Sequence, residues 1–182
     1  MPLRLPSPAL AELPEPDETD PKEVYAYFGL AMYWAQVYER GVINLAVGLL
    51  IKKPSARTQQ LVDDLYKRLD ENTLGRTFLI VRENASIAPD TEHAMRVALR
   101  ERNFLAHSFF HIHAEDFVHE DGRGTMLREL VGMIHQFRQA DLIVDRIVAT
   151  QLERIGVTQE NLDREFEKQF ERLRRLREGD SV

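Results

Sequence analysis

From Val24 to Ile51 the chain is apolar nearly all round, interrupted by Gln36, Glu39, Arg40 and Asn44 at i, i+3, i+4 and i+8. On a helix that spacing gathers the four polar residues into one narrow seam, and a helix so apolar elsewhere must be covered on most sides. Part of it is expected to pack against a second subunit, the alternative being cover by the C-terminal helices of the same chain. Leu61, Leu65 and Leu69, four apart, predict a second helix from Ser55 or Thr58 to about Asn72. Thr73-Leu74-Gly75 introduces a shorter one through Phe78 and Val81, which Asn84 to Pro89 breaks. A fourth helix starts at Asp90 or Thr91, with Glu92 in its first turn, and is expected to end between His111 and Glu115. Asp116 to Gly124, with Asp121-Gly122 and Gly124, reads as a mobile loop. A long helix follows from Thr125 to Ile155, its buried face marked by Leu130, Ile134, Phe137 and Val144 and its C-cap by Gly156. Thr158 caps a last helix with a thin seam of Leu162, Phe166, Phe170, Leu173 and Leu176 among six acids and six bases.

No β-rich alternation, internal repeat, phosphate-cradling glycine loop or Gly-x-Ser-x-Gly elbow interrupts this pattern, so the chain reads as all-α. The expected architecture is an antiparallel helical bundle with a long central N-terminal helix and an extra C-terminal helix. The prolines sharpen its limits. Five of the eight fall in Met1 to Thr19 beside Glu12, Glu15, Asp17 and Glu18, which predicts an extended or disordered arm over 1–19. Pro21, Pro54 and Pro89 each precede helical character and mark helix starts. The bundle then occupies 20–156, and 157–178 forms a helix that docks on an edge or on a partner.

With 182 residues, 43% of them apolar, the chain can enclose one core. Without cysteine it has neither disulfides nor Cys-based zinc sites, and no export signal is evident, so a cytoplasmic location is expected. A membrane span is not expected: neither apolar half of the first helix reaches the roughly 20 residues required, and Glu39 and Arg40 would sit at the bilayer centre. The net charge of −6 argues against a broad nucleic-acid surface, so any RNA site must be a local patch. Arginine outnumbers lysine 19 to 5, which suits bidentate contacts to phosphate and equally to carboxylates.

Chemistry concentrates in the fourth helix. Ala94, Met95, Ala98, Leu99, Leu105, Ala106, Phe109 and Phe110 share a broad apolar arc with Arg102 near its centre. The opposite arc carries His93, Arg96, Arg100, Asn103, His107 and His111, with Asn103 and His107 one turn apart. An Arg followed at once by a polar residue and, after four intervening positions, by His resembles the motif of HEPN domains, and Leu105-Ala106 and Phe109-Phe110 fit that family's usual context. The resemblance in layout covers about Asp20 to Gly156.

The resemblance implies a HEPN-type bundle, a homodimer, and one of two functions. In the first, the protein is a metal-independent endoribonuclease, the toxin or defence effector of a pair that can include an antitoxin protein. Arg and His from two facing units then form one site, and the RNA 2′-hydroxyl attacks the adjacent phosphate to leave a cyclic phosphate end. His107 would be the acid/base, Arg102 the electrostatic clamp and Asn103 the orienting residue, while Arg96, Arg100 and His111 would hold RNA, with no cofactor. The residue types suit this, since imidazole titrates near neutrality and a fixed guanidinium stabilises phosphoryl charge. In the second, the chain is a noncatalytic HEPN-like interaction or RNA-binding module.

A different reading makes His107, His111 and His113 metal ligands, completed by Glu115 or Asp116; His113 faces elsewhere unless the helix ends before it. Independently of these, a guanidinium in an apolar arc needs a counter-charge. Glu39, the only acid between Val24 and Ile51, is the expected partner of Arg102.

Overall fold

The computed structural model describes residues 12–51, 58–154 and 156–179, and among these every regular element is helical. Seven α-helices follow in order: α1 Pro21–Leu50, α2 Gln59–Asp70, α3 Leu74–Asn84, α4 Pro89–His107, α5 Phe109–Ile112, α6 Glu120–Arg154 and α7 Gln159–Gly179, with a 3-10 turn at Asp116–Val118. Local chemistry sets most of the starts. Asp20 accepts from the Lys22 amide at 2.9 Å, Thr58 from Leu61 at 3.2 Å and Thr73 from Arg76 at 3.3 Å, so each caps orphan donors of a first turn. The alternative start at Ser55 lies outside the described residues.

α1 is the central helix. α6 covers it most extensively, and α3, α2 and α4 close its other sides. Val24, Ala31, Tyr38, Val42 and Ala46 are fully enclosed by this one chain. The C-terminal part of the chain therefore supplies the main cover expected for the apolar helix. Its polar seam joins helices: Glu39 pairs with Arg102 of α4, Arg40 with Asp70 of α2 at 3.1 Å, and Asn44 accepts from the Tyr66 hydroxyl at 3.1 Å.

The helix directions refine the expected antiparallel bundle. α2 runs antiparallel to α1, as the Arg40–Asp70 and Asn44–Tyr66 contacts require, and α4 crosses α1 where Tyr38 meets Met95 and Glu39 meets Arg102. α1 and α6 are parallel: Glu18 lies beside Gly124 and Arg128, Trp34 beside Arg138, and Gly41 beside Asp141 and Val144. The largest interface of the core is thus between two long helices running the same way.

Three boundaries depart from expectation. α4 ends at His107 because Ser108 leaves helical geometry (φ −132°, ψ −21°), and α5 resumes for a single turn. The break lets Phe109 enter the core while Phe110 lies against Phe28, ring centroids 4.7 Å apart. α6 begins at Glu120, five residues before Thr125, so Gly122 and Gly124 are helical rather than part of a loop. Their lack of a side chain serves approach: a Cβ on Gly122 would lie 2.2 Å from the Asp116 carbonyl oxygen, and one on Gly124 would lie 2.6 Å from the Glu18 carboxylate. The arm is also partly fixed. Residues 12–17 have no regular structure, yet Leu13 packs on the core and the Pro14 carbonyl accepts from the Tyr27 hydroxyl; residues 1–11 lie outside the described part. At the other end Gly156, at φ +81°, closes α6 as expected, with Val157 N–H donating to the Leu152 carbonyl at 3.0 Å.

Candidate functional site

Where α4 crosses α1, Arg102 meets Glu39. Its Nε and one terminal nitrogen donate to the same Glu39 oxygen at 3.2 and 2.9 Å, and its other terminal nitrogen donates to Asn103 Oδ1 at 3.3 Å. Both charged side chains are about three-quarters covered, at 26% and 23% exposure. The apolar arc explains this position, since it turns Arg102 toward α1, and the seam of α1 offers one carboxylate there. Asn103 is exposed and sits one turn before His107, which is exposed in the last turn of α4. A continuous polar path therefore runs Glu39, Arg102, Asn103, with an accessible imidazole next along the same face. Such a path fixes a guanidinium in place while leaving further N–H groups for an anion, beside a group able to exchange protons.

The other candidates disperse. Arg96 is tied to Glu92 in an i,i+4 pair, and Arg82 reaches the same carboxylate at 3.2 Å. Arg100 and His111 are exposed, His111 in the turn beyond the break at Ser108. The metal reading is corrected by His113. Its ring is buried, Nδ1 lies 2.7 Å from Asp116 and Nε2 lies 2.8 Å from Glu129, out of line for a directional hydrogen bond. Both ring nitrogens thus face carboxylates of the fold, and His107 and His111 point outward. Among the described residues no three such side chains converge as a metal-binding set.

Three features have no counterpart in the sequence reading. A groove of about 790 Å³ lies between α4 and α6, with Glu101, Glu129, His93, His135 and Gln136 over an apolar floor that includes Val97 and Met133. Burial, then the neighbouring Glu129, raises the pKa of Glu101, with Arg100 acting the other way. With two acids and no lysine or arginine in its lining, this groove repels phosphate. Second, Asp141 is buried in the α1–α6 interface, where burial and then Asp145 push its pKa up to about 6. Arg138, also buried there, stacks over Trp34 at 5.1 Å from the ring centre. Third, Tyr25, Phe28, Phe110 and Phe117 form a connected aromatic surface next to the end of α4, with Tyr25 57% exposed. Only this last feature had a signal, the Phe109-Phe110 pair; the others depend on which faces of distant helices meet.

No family model, curated protein or solved structure matches the chain. Among the described residues no helix is long and apolar enough to cross a membrane.

Proposed function

We propose that this chain is a metal-independent endoribonuclease of the HEPN type, acting as a toxin or defence effector. The observation that carries the reading is the Glu39–Arg102–Asn103 path with His107 exposed one turn beyond. Glu39 holds the guanidinium in one orientation, so that its remaining donors can meet a phosphate without a search through rotamers. His107 takes the proton from the RNA 2′-hydroxyl as its oxygen attacks the adjacent phosphorus. The bond to the 5′-oxygen breaks, and a second His107, from another copy of the chain, gives that leaving oxygen its proton. The products are a 2′,3′-cyclic phosphate and a free 5′-hydroxyl. The net charge of −6 confines binding to a local patch, in which Arg96, Arg100 and His111 are the candidate RNA contacts.

One observation favours the noncatalytic alternative: Arg102 already spends two donors on Glu39. RNA cleavage measured with EDTA present, comparing wild type with folded His107→Ala and Arg102→Ala, separates the two. Cleavage by wild type alone supports the nuclease, with an expected loss of at least about 100-fold in each variant. No cleavage by wild type, with RNA or protein binding retained, supports the interaction module. Equal cleavage by wild type and His107→Ala refutes the assigned chemistry.

A further inference from the structure

We infer that α7 is a self-complementary pairing helix, and that its partner is the α7 of a second copy of this chain, running antiparallel. The inference is independent of the ribonuclease reading, because none of Glu39, Arg102, Asn103 and His107 lies on α7. The helix has 21 residues and no extensive packing on the other described helices. Phe170 is 66% exposed, while Leu162 and Phe166 are only partly covered. In proteins most of a helix's stability comes from packing its amphipathic face, so this apolar stripe needs a partner.

The sequence of α7 states what that partner looks like. Leu162, Phe166, Gln169, Leu173 and Leu176 follow the alternating four and three spacing of heptad positions d and a, with Phe170 beside the seam. The charges divide along the helix. From Glu160 to Glu167 there are four acids and one base, a net −3, and from Lys168 to Arg177 five bases and one acid, a net +4. The helix dipole favours this polarity only in the first and last turns, whereas the division here runs the whole length. Two such helices laid parallel would set acidic half on acidic half and basic on basic. Reversed, each acidic half meets a basic half. Antiparallel coils bring like flanking positions together, and Asp163 and Arg177 share one of them. Parallel pairing would instead bring Arg172 against Arg177. The Arg164–Glu160 pair at 3.1 Å lies within the acidic half and leaves its net charge unchanged.

The chain has no cysteine, so an introduced one is the sole thiol. Asp163→Cys and Arg177→Cys are made separately in the full chain and oxidised alone and as an equimolar mixture. Antiparallel pairing predicts an intermolecular disulfide in the mixture, joining one variant to the other, and little or none in either variant alone. Adding Phe166→Glu to both should reduce that product at least tenfold while the helical circular dichroism of the bundle is retained. Self-crosslinking of each single variant would mean parallel pairing and overturn the inference. So would a monomer at all concentrations, or a dimer whose mixture gives no crosslink; in those cases α7 docks on its own bundle, on a different protein or on a membrane surface.

Discussion

Arg102 and Glu39 form the contact on which both stability and chemistry converge. Removing one member leaves the other partly buried without its counter-charge, which for a fully enclosed pair costs about 3–5 kcal/mol. At 26% and 23% exposure water reaches both groups, so the expected loss for Arg102→Ala is smaller, about 1–3 kcal/mol. Glu39→Gln, which can still accept one hydrogen bond, should lose less. Chemical denaturation of the two single variants and the double variant forms a cycle: coupling of about 1 kcal/mol or more is expected, and additive losses would show that the pair contributes nothing. Asp141 acts in the opposite sense. Its pKa rises from 3.8 to about 6 on folding, so the native state holds the proton more tightly than the unfolded chain. The resulting penalty is absent below about pH 4, grows as pH rises to about 6 and is constant above, reaching at most about 3 kcal/mol for a two-unit shift. Asp141→Asn should therefore stabilise the protein at pH 7, by about 1–3 kcal/mol, and remove the decline of stability between pH 4 and 6. Denaturation midpoints measured across that range, with an unchanged decline in the variant, would assign the effect to other groups such as Asp145.

At the level of elements, close approach rather than turn formation explains Gly122 and Gly124 of α6. Gly122→Ala would drive a Cβ to 2.2 Å from the backbone of Asp116 and should cost about 1–3 kcal/mol. Gly132, in the same helix, has nothing within 4 Å of such a carbon, so Gly132→Ala should gain about 0.5–1 kcal/mol from helix propensity. Thermal or urea denaturation of the two variants should give shifts of opposite sign; a neutral Gly122→Ala would mean that the Asp116 turn yields readily. These glycines also show why the α6 start was not legible: Asp121-Gly122 carries the chemistry of a turn, and only contact with the 3-10 turn before it makes Gly useful inside a helix. The break at Ser108 escaped for a related reason, since the apolar period runs smoothly through it and only the placement of Phe109 and Phe110 demands it. Periodicity did yield the helices themselves, and the polar seam of α1 together with the arc of α4 was enough to pair Glu39 with Arg102. One acid faced one guanidinium, leaving no choice. His113, Glu129, Glu101 and Asp141 could not be paired in this way, because each lies among several charged residues whose facing depends on how α4, α6 and the intervening turn are angled.

Across the whole molecule, burial is concentrated where parallel α1 and α6 meet and falls away toward α7. Tyr38, Leu130, Ile134, Phe137 and Val144 are at or near zero exposure, and the Tyr38 hydroxyl donates to the Met95 carbonyl at 2.7 Å, tying α4 to the same centre. Opening any of these segments exposes most of the core, so their backbone amides should exchange only through global unfolding. Among the described residues α7 shows no such anchorage, and its amides should exchange through local opening at a much smaller free energy. Pairing with a second copy changes that in a specific way: protection of 159–176 should rise with protein concentration, by a factor that follows the fraction associated, while protection of α1 and α6 is set by global stability and the assembly alone. Hydrogen exchange followed by mass spectrometry at two concentrations an order of magnitude or so apart measures both. Slow, concentration-independent exchange in α7 would mean that it packs on its own bundle in solution. Fast exchange at both concentrations would mean that the helix forms only with a different partner.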